Sequence, residues 1–372
     1  MSKIAIIGAG KTGRGFIGRL IAEDKQNNHE IIFIDKNEAL VEELNRRKSF
    51  GVYFFGDKRN PVTVSSYIAY TWENADIENA AAVFVSVGGT NLPDVGKKLQ
   101  NILKKENEYS VISCENADNP SKILKKSYGI SNNAGFADAT VFCTTIEKIK
   151  DADSLDILSE DYPYLQCDMK PLKSNFPPIN GVRPTNGFEN FLTRKIYTYN
   201  SASAVIAYLG WIKGYKIYSD AANDEDISKL LDKHYEEINS AICKTFGYDK
   251  DDQGEFAALS KAKFCDVNIV DTIERNAREP HRKLGPNERI IGPMKLIEAN
   301  HGESGVLQMA AAAMLIYEDE NDKEWTKIKK EKSCGQILEE IAGLEKDGKL
   351  YNGILNILNN YMKQEKIDLW TN

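Results

Sequence analysis

Three side chains that could act together in proton transfer, Lys195, Asn200 and Ser203, lie close along one predicted helix. At about 100° per residue they share one broad face, with Ser203 in the middle. Lys195 lies one turn from Phe191 and from Tyr199, and such apolar surroundings favour an uncharged, proton-accepting amine. Asn200 and Ser203 can each donate a hydrogen bond to an alkoxide. Taken alone, these residues leave open a plain alternative, a solvated lysine and an asparagine without chemistry.

A glycine-rich turn near the start of the chain predicts a dinucleotide site. The apolar run Ile4 to Ile7 is followed by glycines at the G-x-G-x-x-G spacing and then by a helical pattern. The first glycine permits the turn, the second lets backbone approach a pyrophosphate, and the third lets helix and strand pack closely. The loop residues assigned to cofactor binding are Gly8, Gly10, Lys11, Thr12 and Gly13.

Three more candidate ligand positions follow predicted strands. Asp35 ends the second strand, where a carboxylate accepts hydrogen bonds from the adenosine ribose and disfavours a 2′-phosphate, so NAD is the expected cofactor. Gly88 follows another buried strand, beside the expected phosphates and nicotinamide ribose. Asn116 ends the tripeptide Cys-Glu-Asn after the next strand, where open α/β sheets place ligand-binding groups. A plain turn is the alternative for this tripeptide.

The order of apolar and helical patterns predicts an α/β protein of two domains. Residues 1–184 are predicted to form an NAD-binding Rossmann-type domain with a doubly wound sheet, whose strands end near residue 170. The Pro- and Gly-rich stretch 173–184 is the candidate boundary. Residues 185–372 are predicted to form a mostly helical substrate and catalytic domain. Within these domains we expect one strand over 62–70, in a hairpin-like excursion, and one helix over 258–277.

The composition is typical of a soluble globular protein. Its 372 residues are 42% hydrophobic and 28% charged. The net charge of −7 argues against nucleic acid as the main partner. Six cysteines and four histidines show no metal-ligand spacing, so no metal is expected, and such cysteines suit a reducing cytosol. No apolar run approaches the ~20 residues of a membrane span, and no secretory signal precedes the fold. A cytoplasmic protein without a membrane partner is expected.

Several segments together resemble the polyol-specific long-chain dehydrogenases, the mannitol dehydrogenase family. They are the glycine loop at 8–18, Cys-Glu-Asn at 114–116, the predicted helix at 191–210 and Arg-Lys-Leu at 282–284. The family is marked by K-x-x-x-x-N-x-x-H on a helix that faces the nicotinamide. There the lysine is the general base, and the asparagine and histidine hold the developing oxyanion. Lys195 and Asn200 match this motif, and Ser203 stands at the histidine position.

The resemblance implies an NAD-dependent oxidoreductase that interconverts a polyol and its ketose by hydride transfer. The expected substrate is a phosphorylated polyol similar to mannitol 1-phosphate. In the family the Arg-Lys-Leu turn borders the substrate, so Arg282 and Lys283 are expected to bind the phosphate. Asn116 is also expected to face the substrate, and His281 is a candidate for supplying the missing imidazole.

Two departures from the family pattern keep alternatives open. Ser203 replaces the histidine, and Phe142-Cys143 stand where the family strand usually has Asp-Arg at pocket-facing positions. One alternative is a diverged family member that acts on a different hydroxylated substrate. The other is a non-catalytic NAD-binding protein.

Overall fold

The computed structural model describes residues 2–57, 59–117, 119–148 and 154–363. The chain divides into two compact units, Met1–Phe188 and Glu189–Asn372. In the described part of the chain, no helix is both long and apolar enough to cross a membrane.

The first unit is built from strands and a few helices. Its strands are β1 (Lys3–Ile7), β2 (Glu30–Ile34), β3 (Phe50–Phe54), β4 (Val62–Val64), β5 (Tyr67–Tyr70), β6 (Ala80–Val85), β7 (Tyr109–Ser113), β8 (Ala134–Thr140), β9 (Thr145–Glu147), β10 (Ile157–Ser159), β11 (Leu165–Asp168) and β12 (Val182–Thr185). Its helices are a π-helical turn (Gly13–Gly18), α1 (Arg19–Glu23), α2 (Glu38–Arg47), α3 (Leu92–Ile102) and α4 (Pro120–Tyr128), with short 3-10 turns at Phe55–Asp57, Trp72–Asn74 and Gly89–Asn91.

An eight-stranded sheet in the order β12-β11-β8-β7-β6-β1-β2-β5 organises this unit. From β8 to β5 every neighbouring pair is parallel. The central strands are almost continuous apolar runs, as sheets covered on both faces require. The predicted Rossmann-type sheet is therefore confirmed. Because parallel strands end at the same edge, the segments that follow β1, β2, β6 and β7 lie along one edge of the sheet.

The unit also contains a second sheet, in the order β4-β3-β10-β9. The sequence did not predict this four-stranded sheet. The single strand expected over 62–70 is wrong, because the chain breaks at Ser66, whose φ is +58°. The half before the break, β4, pairs antiparallel with β3. The half after it, β5, joins the main sheet parallel to β2.

The main sheet also extends beyond the predicted end near residue 170. Strand β12 runs parallel to β11 at the edge of the sheet, inside the stretch taken as a boundary. It contains Pro184, which cannot donate to a ladder and is tolerated at an edge. The Pro- and Gly-rich composition therefore concealed an edge strand.

The second unit is helical, as predicted. It contains α5 (Phe188–Lys195), a π-helical turn (Ile196–Asn200), α6 (Ser201–Ile212), α7 (Tyr218–Ala222), α8 (Glu225–Phe246), α9 (Lys250–Phe264), α10 (Ile273–Ala277), α11 (Pro280–Lys283), α12 (Ile291–Ala299), α13 (Gly305–Ile316), α14 (Lys323–Glu331), α15 (Cys334–Glu340) and α16 (Lys349–Lys363). We call residues 188–212, which run through α5, the π turn and α6, the lysine helix.

The single helix predicted over 258–277 is wrong. Helix α9 ends at Phe264, and α10 begins only after Thr272, whose side chain accepts a hydrogen bond from the Arg275 N–H. Between them, the Asp266 carboxylate accepts hydrogen bonds from the backbone and side-chain amides of Asn268. Such Asx turns compete with helix, which explains the interruption.

Candidate active site

The glycine loop after β1 has the geometry that a pyrophosphate needs. Gly8 has a φ of +93°, and a Cβ there would lie 2.0 Å from the Ser86 carbonyl oxygen. A Cβ at Gly13 would lie 1.9 Å from the Gly8 carbonyl oxygen. At Gly10, by contrast, no neighbouring atom of the described residues lies within 4 Å of the point that a Cβ would occupy. Two glycines thus close the turn, and the third leaves space for a phosphate to approach.

Asp35 joins the end of β2 to this loop. Its Oδ2 accepts a hydrogen bond from the Ala9 N–H at 2.8 Å, and its Oδ1 accepts one from the Asn37 N–H at 2.9 Å. Each carboxylate oxygen has a second lone pair, so the group can still accept hydrogen bonds from a ribose. The carboxylate is therefore fixed in place and retains acceptor capacity.

The other predicted cofactor residues lie around the same edge of the first unit. Lys11 is exposed, and the Thr12 hydroxyl lies 3.4 Å from the hydroxyl of Thr145. Gly88 and Asn116 follow β6 and β7 and are both accessible to solvent. The fold thus brings Gly88 and Asn116 to the edge that carries the glycine loop.

Glu115 is a residue of this edge whose role the sequence did not reveal. Its Oε1 accepts hydrogen bonds from the N–H groups of Val87 at 2.5 Å and Gly88 at 2.7 Å. Burial raises the pKa of Glu115, against the effect of these two hydrogen bonds. The carboxylate therefore fixes the turn after β6. The signal in the sequence for this role was the presence of an acidic residue within Cys-Glu-Asn.

The two departures on the strand side have a packing explanation. Phe142 is buried and stacks on Tyr162, with ring centroids 5.1 Å apart. Cys143 is buried with its Sγ 3.2 Å from the Ser159 hydroxyl. Both side chains thus contribute packing contacts within the first unit.

In the second unit, the predicted proton-transfer residues lie on the lysine helix, which is not a regular α-helix. A π-helical turn spans Ile196–Asn200, between α5 and α6. Such a turn holds an extra residue, so the spacing of about 100° per residue does not apply between Lys195 and Asn200. Lys195, Asn200 and Ser203 are all partly exposed. Single π turns of this kind occur frequently at functional sites.

The environment of Lys195 favours its neutral form. Burial of the amine, with the positive charges of Lys263 and Arg289 nearby, lowers the pKa of Lys195 to about 8. Part of the residue remains exposed. A lysine with this pKa can accept a proton near neutral pH, as a general base must.

A basic cavity of about 230 Å³ lies in the same unit. Five basic side chains and two acidic ones contribute to its lining, which consists of Asp271, Arg275, Asn276, Arg278, Glu279, Arg282, Lys283 and Arg289. Arginine and lysine side chains at this density suit a phosphate group. The sequence assigned Arg282 and Lys283 to the substrate, and Arg275, Arg278 and Arg289 belong to the same densely basic segment of the chain.

Arg289, which lines this cavity, acts electrostatically on both Lys283 and Lys195. Lys283 is buried, its Nζ donates to the Asn276 carbonyl oxygen at 2.7 Å, and burial together with Arg289 and Arg282 lowers its pKa to about 7. Arg289 also lowers the pKa of Lys195. An anion bound in the cavity would stabilise the charged form of Lys283.

His281 lies on the same turn but has a different neighbour. Its Nε2 is 3.3 Å from Oε2 of Glu324 on α14. Within the described residues, the lining of the basic cavity includes Arg282 and Lys283 but not His281.

A larger cavity, of about 700 Å³, lies along α2 and β5 in the first unit. Its lining includes Glu38, Glu42 and Glu73, with Lys48 as a basic residue. This acidic lining does not suit a phosphorylated ligand.

The first unit is a Rossmann-type fold with a glycine turn suited to a pyrophosphate, and the second is a helical unit with a desolvated lysine. This combination is typical of a dinucleotide-dependent oxidoreductase. Family models agree with this class. The model of the mannitol dehydrogenase Rossmann domain matches residues 2–181, and that of the mannitol dehydrogenase C-terminal domain matches residues 188–359. The chain belongs to the mannitol dehydrogenase family, as the sequence predicted.

Sequence similarity to known proteins covers almost the whole chain. The mannitol-1-phosphate 5-dehydrogenase of Oceanobacillus iheyensis is 29% identical over 94% of this chain and 96% of that protein. The enzyme of the same name from Bacillus subtilis is 28% identical over 95% of this chain and 98% of that protein.

Two solved structures share the fold at lower sequence identity. A D-sorbitol dehydrogenase in substrate-free form has a TM-score of 0.74 at 14% identity, covering 97% of this chain and 93% of that one. The Pseudomonas fluorescens mannitol 2-dehydrogenase, in a ternary complex with NAD and D-mannitol, has a TM-score of 0.62 at 15% identity, covering 98% and 94%.

Proposed function

We propose that this protein is an NAD-dependent dehydrogenase that interconverts a phosphorylated polyol, similar to mannitol 1-phosphate, and its ketose phosphate. The observation that carries the proposal is a desolvated lysine, Lys195, in the family's motif position. Arg289, whose charge lowers the pKa of Lys195, also lines the basic cavity. The names of the relatives agree with such a substrate.

The first unit supplies the cofactor site. The space at Gly10 accommodates the pyrophosphate, and the Asp35 carboxylate receives the adenosine ribose hydroxyls. NAD, when bound, accepts the hydride from the alcohol carbon or returns it to the ketone. Asp35 repels a 2′-phosphate, which favours NAD over NADP.

The second unit supplies the proton transfer. In alcohol oxidation, the neutral Nζ of Lys195 takes the hydroxyl proton as the carbon loses its hydride. The Asn200 amide and the Ser203 hydroxyl donate hydrogen bonds to the oxygen while it carries negative charge. In ketone reduction, the Lys195 ammonium returns the proton to the oxygen. The pKa of about 8 lets Lys195 serve in both directions.

The basic cavity supplies substrate recognition. Arg282 and Lys283 contact the phosphate in this proposal, together with Arg275, Arg278 and Arg289. Arg282 pairs at 2.7 Å with Glu279, which is another residue of the cavity lining.

A specific observation favours a second candidate. Ser203 is shorter than the family's histidine and cannot carry a positive charge. This favours a diverged relative that oxidises another hydroxylated substrate with the same lysine and cofactor.

One assay tests the proposal and separates the candidates. The purified protein is incubated with NAD⁺ and a panel of polyols, polyol phosphates and sugar acids, and NADH formation is followed. We expect turnover with mannitol 1-phosphate and little with free mannitol. Turnover with a different member of the panel alone would identify the second candidate, and NADH binding without turnover on any of them would indicate a non-catalytic protein.

A further inference from the structure

A second face of the lysine helix is held by buried polar groups. The side chains of Arg194, Thr198 and Ser201 all form hydrogen bonds to α8 or α9, which places them on one side of the lysine helix. All three residues are buried. Their hydrogen-bond partners lie on α8 and α9: Ser201 lies 3.0 Å from Nε2 of His234 on α8, and the other two contact Gln253 on α9.

Gln253 is the residue that connects two of these positions. Its Oε1 accepts a hydrogen bond from Nε of Arg194 at 2.6 Å. Its Nε2 donates to the Thr198 hydroxyl at 3.1 Å and to Oδ1 of Asn239 at 2.7 Å. The side chain is fully buried, with 0% exposure. Because a guanidinium can only donate, the orientation of the Gln253 amide is fixed.

Arg194, the residue next to Lys195, is held on several sides. Its guanidinium carbon lies 4.3 Å from the ring centroids of both Tyr248 and Phe256, which are cation–π distances. It also forms an ion pair with Asp252 at 2.8 Å. A buried arginine with this set of partners gives Gln253 a rigid point of attachment.

We propose that Gln253 is a positioning residue for the proton-transfer pair Lys195 and Asn200. It ties position 194 to position 198, and these two positions flank Lys195 and the start of the π turn that ends at Asn200. The inference rests on the proposed role of Lys195 as general base.

The physical reason lies in the π turn itself. A π turn is rare and competes with regular α-helix, so its geometry has to be imposed by neighbouring groups. Gln253 imposes it by bonding two side chains one turn apart. A displacement of about 1 Å in a group that acts on the substrate can lower the rate about 10²-fold. Loss of the Gln253 amide should therefore reduce turnover more than it reduces substrate or cofactor binding.

The test compares two buried positions of α9. Gln253→Met keeps the approximate shape of the side chain but leaves Arg194 and Thr198 without the amide. Ser260→Ala is the matched control: Ser260 is also 0% exposed, and its hydroxyl bonds Tyr235 of α8 at 2.5 Å. We expect Gln253→Met to lower kcat by about 10- to 100-fold while KM and the Kd of NADH stay within about twofold. Ser260→Ala should lower Tm and leave kcat unchanged.

If Gln253→Met does not fold, Thr198→Val replaces it, because this change removes only the hydroxyl that Gln253 contacts. It should lower kcat in the same selective way. Wild-type kcat in the folded variant, or an equal loss in Ser260→Ala, would overturn the positioning role. Lys195→Met, measured in parallel, separates the two proposals. If Lys195→Met retains turnover, the proposed function is contradicted. If Lys195→Met loses turnover while Gln253→Met remains fully active, only the positioning role is contradicted.

Discussion

The Asp35 carboxylate accepts a hydrogen bond from the Ala9 N–H at 2.8 Å, which joins the second strand to the glycine loop. In the proposed function the same carboxylate also selects the cofactor by charge. The proposal thus gives Asp35 a structural and an electrostatic function, and a single substitution can test the second.

We predict that the protein binds NADH more tightly than NADPH and that Asp35→Asn reduces this preference. The amide keeps one oxygen to accept from Ala9 and loses the acceptor that faces the Asn37 N–H. The charge that repels a 2′-phosphate is gone. Fluorescence titration of both cofactors against both proteins measures the effect. Equal or tighter binding of NADPH by the unmodified protein would contradict the account.

The pH dependence of turnover should follow Lys195. Alcohol oxidation needs the neutral amine, so its kcat should rise with pH and level off above a pKa of about 8. Ketone reduction needs the ammonium, so its kcat should fall through the same range. Steady-state rates in both directions from about pH 6 to about pH 10 give the two limbs. If kcat changed with pH in the same direction for oxidation and for reduction, Lys195 would be excluded as the group that exchanges the proton.

Substrate charge should be recognised by Arg282. Arg282→Gln removes one charge from the basic cavity, and we expect KM for a phosphorylated substrate to rise about 10-fold or more, as loss of a charge-assisted hydrogen bond implies. Lys327→Gln is the control, because Lys327 is an exposed lysine on α14 whose side chain is 72% exposed.

The free polyol provides the internal comparison for this experiment. Its KM should change little in Arg282→Gln, since it carries no phosphate. A similar rise in KM for the polyol and its phosphate would show that the turn has a structural role.

Ser203 offers a test with two opposite outcomes. If the site acts on the family's substrate, Ser203→His should add an oxyanion donor and raise kcat/KM on fructose 6-phosphate about 10-fold, a fraction of the usual effect of such a donor. If the site serves another substrate, the larger ring should hinder it, and activity on that substrate should fall. A variant that matches the wild type on every substrate would place Ser203 outside the site.

Local signals allowed much of this molecule to be predicted from sequence. The glycine spacing and Asp35 lie within one strand–turn–helix–strand segment, so their relation is visible in the chain itself. The start of α2 is also determined locally, because the Asn37 side chain accepts a hydrogen bond from the Leu40 N–H. Lys195 and Asn200 were assigned to the site through a short motif on one helix, and this assignment stays a prediction.

Features that depend on distant partners could not be predicted in this way. The π turn that ends at Asn200 breaks the regular α-helical period, and no residue type in the sequence predicts it. Gln253 is 55 positions from Thr198, so their contact is set by helix packing.

Single-turnover reduction of fructose 6-phosphate by protein preloaded with NADH tests the central claim most directly. We predict that Lys195→Met slows NADH consumption by at least about 10²-fold, because the proton donor is lost, while the Kd of NADH is unchanged. Lys261→Met, on α9 and paired with Asp232, is the control and should react at the wild-type rate. A Lys195→Met protein that consumes NADH as fast as the wild type would contradict the account.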